Sequence, residues 1–381
     1  MTGPRQSGKT TLLKYLFGHQ YQYVSVELPD VRESAIVDPR GFLEQYQQPV
    51  IIDEIQYTPE LLPYIKEKID GNRNRAGQFI LTGSQNLLLG EKVTESLAGR
   101  VAVLRLLPLS RREQEGCPGN PMIWEHTHMT GQKNYEFKDL WNSFLRGGYP
   151  ELAADPNRDL SLWHASYIQT YLERDVRSLR QVGDLMQYQS FLRVLAARNG
   201  HLLNLTDLSR DLGVAVNTIK AWLSILEATY QVTVLRPYHA NIGKRLVKTP
   251  KVFFSDVGTL CHLVGLKDPT HAASGPMGGA IFETAVLSEL VRTLTHRGMQ
   301  PQIYFWRTMA GSEIDFIVNT NNGMIPIEVK LSATPRPAMA SSIRAFQRDV
   351  GETVLPGYVV HPGNIRLPLG EHTTAIPFSV L

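Results

Sequence analysis

The sequence predicts an α/β chain of two or three folded units, and three observations carry that prediction. A glycine-rich octapeptide, Gly3 to Thr10, satisfies GxxxxGK[ST] at every fixed position. An apolar run fit for a doubly buried strand, Pro49 to Ile52, ends in two carboxylates, Asp53 and Glu54. Near the C-terminus an apolar helix is followed by two strand candidates that carry acids at alternate positions. The 381 residues, 43% hydrophobic and 20% charged, exclude fibrous and disordered classes. Cys117 and Cys261 stand far apart without a Cys/His pattern, so neither a disulfide framework nor zinc is read. No apolar run approaches the roughly 18 residues of a membrane span, so no membrane partner and a reducing, cytoplasmic location are expected. The formal charge of +3 says nothing about partners until its location is known.

The first unit, 1–110, is read as a P-loop parallel-sheet domain. Glycines let the backbone curl so that several N–H groups face one phosphate, and Thr11 to Phe17 continues at helical spacing. Gly3, Pro4, Arg5, Gln6, Ser7, Gly8, Lys9, Thr10 and Thr11 are therefore the expected nucleotide-binding residues. Lys9 reaches the outer phosphates, and the Thr10 hydroxyl with Asp53 holds Mg²⁺. Glu54 is the expected base that orients the attacking water. A third strand, Gln78 to Thr82, runs into Ser84 and Gln85, either of which can sense the γ-phosphate or simply form a turn. Arg100 reads as an arginine finger, in cis or across a subunit interface, or as a surface arginine. Only Met1 and Thr2 precede the loop, although a P-loop is normally fed by a central buried strand. A missing N-terminal segment or a lost core strand is expected from that.

The stretch 111–185 reads as an insertion and helical linker. Residues 111–134 carry Gly, Pro, His and polar residues without periodicity, as a long loop would. Cys117, His126 and His128 fall within it but lack zinc spacing. A turn at Phe144 to Pro150 and a helical pattern from Trp163 to Arg180 follow. Residues 186–250 read as a winged helix. A helix at Phe191 to Arg198 precedes a short one closed by Gly213. The next runs from Val214 to Leu226, with Asn217 as its N-cap and Ile219, Trp222, Leu223 and Leu226 on one face; Val232 to Pro250 makes a hairpin wing. From Arg193 to Lys248 there are eight Lys/Arg against three acids, the footprint expected of DNA contact or of a plain packing module. Lys220, Lys244, Arg245 and Lys248 are the candidate DNA contacts.

The last unit, 251–381, returns to an α/β pattern. Glu283 lies on the apolar row of the helix at Ile281 to Val291, where a carboxylate needs a partner or a metal. Glu313 and Asp315 share one face of a strand, as do Glu328 and Lys330 on the next. Glu283, Asp315, Glu328 and Lys330 match the acid, then D…ExK, order of a restriction-endonuclease-like site, in which carboxylates hold Mg²⁺ against a phosphodiester. The alternative is a relic site whose charges satisfy one another. His262 and His296 read as ordinary surface or loop residues and Trp306 as packing.

Taken in order, these motifs resemble the bacterial and archaeal AAA+ ATPases that join an AAA-like P-loop domain to a C-terminal domain of unknown function with a nuclease-like core. The matching pieces include Thr2–Thr11, Ile52–Gln56, Leu81–Ser84, Ser96–Arg100, Gly147–Glu151, Tyr171–Asp175, Phe253–Gly258, Phe282-Glu283 and Ile327–Lys330. The resemblance implies ATP and Mg²⁺ at the first set, with Arg100 at a sensor or finger position, and no settled substrate. The leading expectation is an ATPase coupled to a winged helix and a nuclease-like region and acting on DNA, with a homo-oligomer among its expected partners. An ATP-regulated, metal-dependent nuclease and a non-catalytic DNA-binding or scaffold protein are the competing expectations.

Overall fold

A computed structural model describes residues 1–84, 97–125, 135–171, 185–238, 248–309, 311–351 and 353–381. The chain forms two compact units, one made of Met1–Pro108 with Ala228–Tyr230, the other of Leu109–Glu227 with Gln231–Leu381.

The first unit is built on a parallel sheet in the order β1 (Gln22–Ser25), β2 (Val50–Asp53), β3 (Phe79–Leu81). Strand β2 is buried along its whole length, as its unbroken apolar run requires of a central parallel strand. Register places Ser25 beside Asp53, so both strands end at one edge. Thr2 makes parallel bridges to Gly83 and to Arg105, and its N–H and C=O bond Leu104 O and Leu106 N, both at 2.8 Å. Met1 and Thr2 thus pair as strand residues immediately before the loop. The helix Lys9–Phe17 follows, and helices Pro29–Val37, Pro39–Gln45 and Leu62–Gly71 supply Ala35, Phe42, Leu43, Leu62 and Ile65 to a core closed by Val24, Ile52 and Leu81.

In the second unit the largest hydrophobic cluster among the described residues draws on residues from Met122 to Leu381, beside smaller ones around Trp306 and Phe346 and around Tyr149 and Trp163. Its main sheet has six strands in the order β10-β11-β9-β8-β7-β6. Strands β6 (Ile303–Arg307), β7 (Glu313–Thr320) and β8 (Gly323–Val329) form an antiparallel meander after the helix Gly278–His296. The helix Ser341–Val350 then returns the chain to β9 (Gly357–His361), parallel to β8, and β11 (Thr373–Pro377) adds parallel to β9, with β10 (Leu367–Pro368) at the edge.

Three helices, Leu185–Ala197, Leu205–Leu212 and Val216–Ala228, precede β4 (Val232–Leu235) and β5 (Lys251–Phe254), which pair antiparallel. Asn204 caps the middle helix by accepting from Thr206 N and Asp207 N, and Gly213 ends it with φ 65°. Asn217 is not an N-cap, because the third helix already begins at Val216. The expected boundary between 250 and 251 separates two strands that pair with each other, so the structure draws no division there. Residues 115–125 run in turns and irregular backbone, as the expected loop does, but its first four residues do not. Arg111–Gln114 is a helical turn closed by a capping box, Ser110 accepting from Glu113 N while Glu113 accepts from Ser110 N at 2.7 Å. Arg112 is buried and donates to the C-terminal Leu381 O and to Asn120 O, so backbone acceptors replace the missing hydrophobic periodicity. His296 is likewise no surface residue, since its Nδ1 lies 2.9 Å from the Glu113 carboxylate. His262 is only half-buried, and Trp306 is fully buried as expected.

A buried pair ties the Gly147-Gly148 turn to the rest of this unit. Asp256 accepts from Gly148 N at 2.8 Å, from Thr259 N at 2.9 Å and from Arg292 at 2.9 Å. Complete burial opposes ionisation of Asp256, but the Arg292 guanidinium and these N–H groups outweigh it and hold the carboxyl below its ordinary value.

Candidate functional site

The loop Gly3 to Gly8 folds because its glycines and one non-glycine take left-handed backbone: φ is 151° at Gly3, 59° at Gln6 and 89° at Gly8. A Cβ at Gly3 would meet Leu106 O at 2.0 Å, so only glycine lets the loop lie this close to the chain beside it. The helix Lys9–Phe17 starts without a side-chain cap, leaving its first N–H groups for an anion. Buried Lys9 donates to Gly3 O at 2.9 Å and Pro4 O at 2.7 Å, so its ammonium lies over the loop's own carbonyls. Ser7 Oγ is buried and finds no hydrogen-bond partner among the described residues. An uncapped helix start, an orphaned hydroxyl and an ammonium at one loop fit a triphosphate. Arg5 and Gln6 are half-buried and exposed, and Thr11 is exposed on the first helical turn.

Asp53 is the centre of the edge. Its Oδ2 accepts from Thr10 Oγ1 at 2.9 Å and from Tyr23 Oη at 2.7 Å, and its Oδ1 accepts from the Thr82 hydroxyl. Thr82 also accepts from Glu54 N at 3.2 Å, so one side chain orients both acids. Burial and the Asp53 carboxylate raise the Tyr23 phenol pKa, which keeps it a donor across the whole physiological range. Glu54 has φ 60°, the turn that ends the strand and swings its carboxylate out, where Gln56 Nε2 donates to it. Gln56 also donates to Ser84 Oγ at 3.4 Å. The expected set Thr10, Asp53, Glu54 and Ser84 is thus joined, while Gln85 lies outside the described residues. Tyr23, Thr82 and Gln56 were not singled out from sequence, because no spacing rule connects a neighbouring strand's phenol to a carboxylate 30 residues on.

Arg100 is engaged elsewhere in the described state. Its Nε and Nη2 donate to Asp70 at 2.7 and 3.2 Å. This pair, and not burial, raises its pKa and lowers that of Asp70.

The second unit holds a carboxylate cleft of about 340 Å³, lined among others by Lys251, Glu283, Arg307, Glu313 and Asp315. Lys251 is 5% exposed, and its Nζ lies 2.5 Å from Glu313 Oε1, while Arg307 reaches Glu313 Oε2 at 3.1 Å. Asp315 on β7 accepts from Val329 N at 2.7 Å. Glu328 on β8 is 4% exposed; Lys330 contacts its Oε1 at 2.6 Å, and its Oε2 finds no partner among the described residues. Burial first, and the Asp315 carboxylate second, push Glu283 and Glu328 up to about 8. Among the described residues no group of three or more His, Cys, Asp or Glu side chains is placed to hold a metal ion. Glu283 and Asp315 line the cleft together, Glu328 and Lys330 pair beside them within electrostatic reach, and Lys251, from outside the expected motif, lines the cleft as well.

Of the candidate DNA contacts, Lys220 and Lys248 are exposed, and Lys244 and Arg245 lie outside the described residues. Two of the eight basic residues are engaged by acids of the same segment, Arg198 by Asp211 and Arg210 by Asp207. His126 and His128 also lie outside the described residues. No helix among the described residues is long and apolar enough to cross a membrane.

A phosphate loop beside a parallel sheet, with an acid gripped at the end of β2, is the arrangement of a P-loop nucleotide-binding domain. An AAA domain model matches residues 1–115, a domain of unknown function (DUF8612) matches 137–270, and another (DUF4143) matches 278–381. Uncharacterized proteins of Mycobacterium tuberculosis H37Rv and Mycobacterium bovis are each 32% identical over 382 residues, spanning 99% of this chain and 79% of theirs. An uncharacterized protein of Haemophilus influenzae is 24% identical over 356 residues, 86% of this chain and 81% of its own. The chain belongs to the family of these mycobacterial proteins, with an AAA domain at its N-terminal end and a DUF4143 domain at its C-terminal end.

Proposed function

We propose that the chain is an ATP-hydrolysing switch whose nucleotide state is coupled to a winged helix and a nuclease-like α/β core, and that it acts on DNA. The observation that supports this most is the grip on Asp53 by Thr10, Tyr23 and Thr82, which holds the acid facing the phosphate loop. Backbone N–H groups of the loop and of the first helical turn through Thr11, Pro4 excepted because it has none, bind the phosphates with the Lys9 ammonium. Thr10 and Asp53 are the residues that hold Mg²⁺, which when bound offsets phosphate charge. Glu54 orients the attacking water, and Ser84, tied to it through Gln56, senses the γ-phosphate. Arg100, once released from Asp70, serves as the finger, in cis or toward a neighbouring copy in a homo-oligomer.

The order of three helices and an antiparallel pair in 185–254, with Lys220 and Lys248 exposed, supports the winged-helix and DNA reading. The helix, three-strand meander, helix and parallel strand of 278–361 support the nuclease-like core. The internal ion pairs of its cleft favour a core kept for binding over one that cleaves.

Lys9→Ala in the full chain is expected to abolish ATP-dependent phosphate release; unchanged release would refute the site. DNA action is tested by fluorescence anisotropy with duplex DNA across a salt series. Binding that weakens with salt and falls further in Lys220→Glu supports it, and no binding at low salt removes DNA from the proposal.

A further inference from the structure

We propose that the cation of the carboxylate cleft is the chain's own Lys251 and that the cleft therefore takes no divalent metal: its nuclease-like acids are closed by an internal ammonium. The proposal stands apart from the nucleotide site, which it neither needs nor tests.

Lys251 is the first residue of β5, a strand held by β4 and by a bridge from Leu202. Its backbone position is therefore set by pairing outside the acidic motif. Its side chain is almost wholly buried, and burial disfavours a charged ammonium. Glu313 in direct contact, with Glu283 and Asp315 in electrostatic reach, outweighs that penalty and keeps it protonated. A bound divalent ion needs the same carboxylate charge, so the buried Lys251 ammonium competes with a metal for it.

Charge accounting points the same way. Four carboxylates, Glu283, Glu313, Asp315 and Glu328, face three cations, Lys251, Arg307 and Lys330, each of which touches one of them. The remaining negative charge is relieved by proton uptake, in line with burial and Asp315 pushing Glu283 and Glu328 upward. With Lys251, Arg307 and Lys330 in place no further cation is needed. Without Lys251 the acids lose their nearest buried counter-charge and gain the space its ammonium filled.

The test titrates Mn²⁺ into the full chain carrying Asp53→Asn, which silences the phosphate-loop metal position, with bound ion read by electron paramagnetic resonance and by thermal melting. The parent is expected to hold no ordered Mn²⁺ in the cleft and to show no Mn²⁺-dependent rise in Tm. Adding Lys251→Met is expected to create about one bound Mn²⁺ per chain and a Tm that rises with Mn²⁺. Further adding Glu283→Gln is expected to abolish both, while Lys251→Arg should behave as the parent. Mn²⁺ bound by the parent and lost on Glu283→Gln would overturn the proposal, as would a folded Lys251→Met chain that gains no ion. The parent and its Glu283→Gln variant decide the question even where Lys251→Met does not fold.

Discussion

Both units hold buried carboxylates, yet they hold them by opposite means. At the nucleotide edge Asp53 is held by three hydroxyls, from Thr10, Tyr23 and Thr82. In the carboxylate cleft Glu313 is held by Lys251 and Arg307, and Glu328 by Lys330. A hydroxyl orients an acid and leaves its charge in place, whereas an ammonium or guanidinium cancels it. The first arrangement keeps an acid ready for a cation delivered with a ligand; the second already carries cations of its own. Motif spacing alone makes the two sites look alike.

The contrast is broken most directly at Asp53. Asp53→Asn keeps the size and most hydrogen bonds but removes the charge, so phosphate release should fall on the order of a hundred- to a thousandfold with little loss of folding. Retained turnover would mean that the edge, like the cleft, does not depend on its acid's charge. Next in size is Glu313→Gln, which removes the direct partner of a buried lysine. Urea unfolding should show a loss of about 3 kcal/mol, the low end for a broken buried pair because Glu283 and Asp315 still flank Lys251. A loss no larger than that of an exposed pair would show the cleft's ion pairs to be solvent-screened.

A pH series gives a smaller and directional effect. Glu283 and Glu328 titrate near 8 in the folded protein, above the ordinary 4.5 of an unfolded glutamate. The folded state therefore binds more protons between those values, and these two groups lower stability as pH rises from about 4.5 to about 8. Glu283→Gln should flatten that slope of Tm against pH; an unaltered slope would deny Glu283 its raised pKa. The smallest expected change is Tyr23→Phe. It removes one of the three hydroxyls on Asp53, worth about 1 kcal/mol, and should weaken Mg²⁺-nucleotide binding roughly fivefold in calorimetry. An effect as large as that of Asp53→Asn would make the phenol an essential member of the site.

Local chemistry was legible wherever it is contiguous. The loop Gly3 to Thr10, the buried β2 ending at Asp53-Glu54, and the alternation that places Asp315 and Glu328 on facing strands follow from backbone period and side-chain type. The capped turn at Ser110 to Gln114 was missed because its stability comes from a capping box and from Arg112 meeting the C-terminal carbonyl, neither of which leaves a hydrophobic period. The Asn217 cap and the 250/251 boundary failed for a related reason: helix starts and strand partners are chosen by tertiary packing when several residues offer similar local propensity.

The sequence by itself determined that a phosphate loop, a strand-end acid pair and an acid–acid–ExK series are present, because each is written within a few residues of backbone. Only the tertiary structure decided what holds each acid. Tyr23 and Thr82 reach Asp53 from neighbouring strands, and Lys251 reaches Glu313 across 62 residues of chain, contacts that no local period encodes. Electrostatics acts through space, so the charge state of a site is set by whatever the fold brings within a few ångströms.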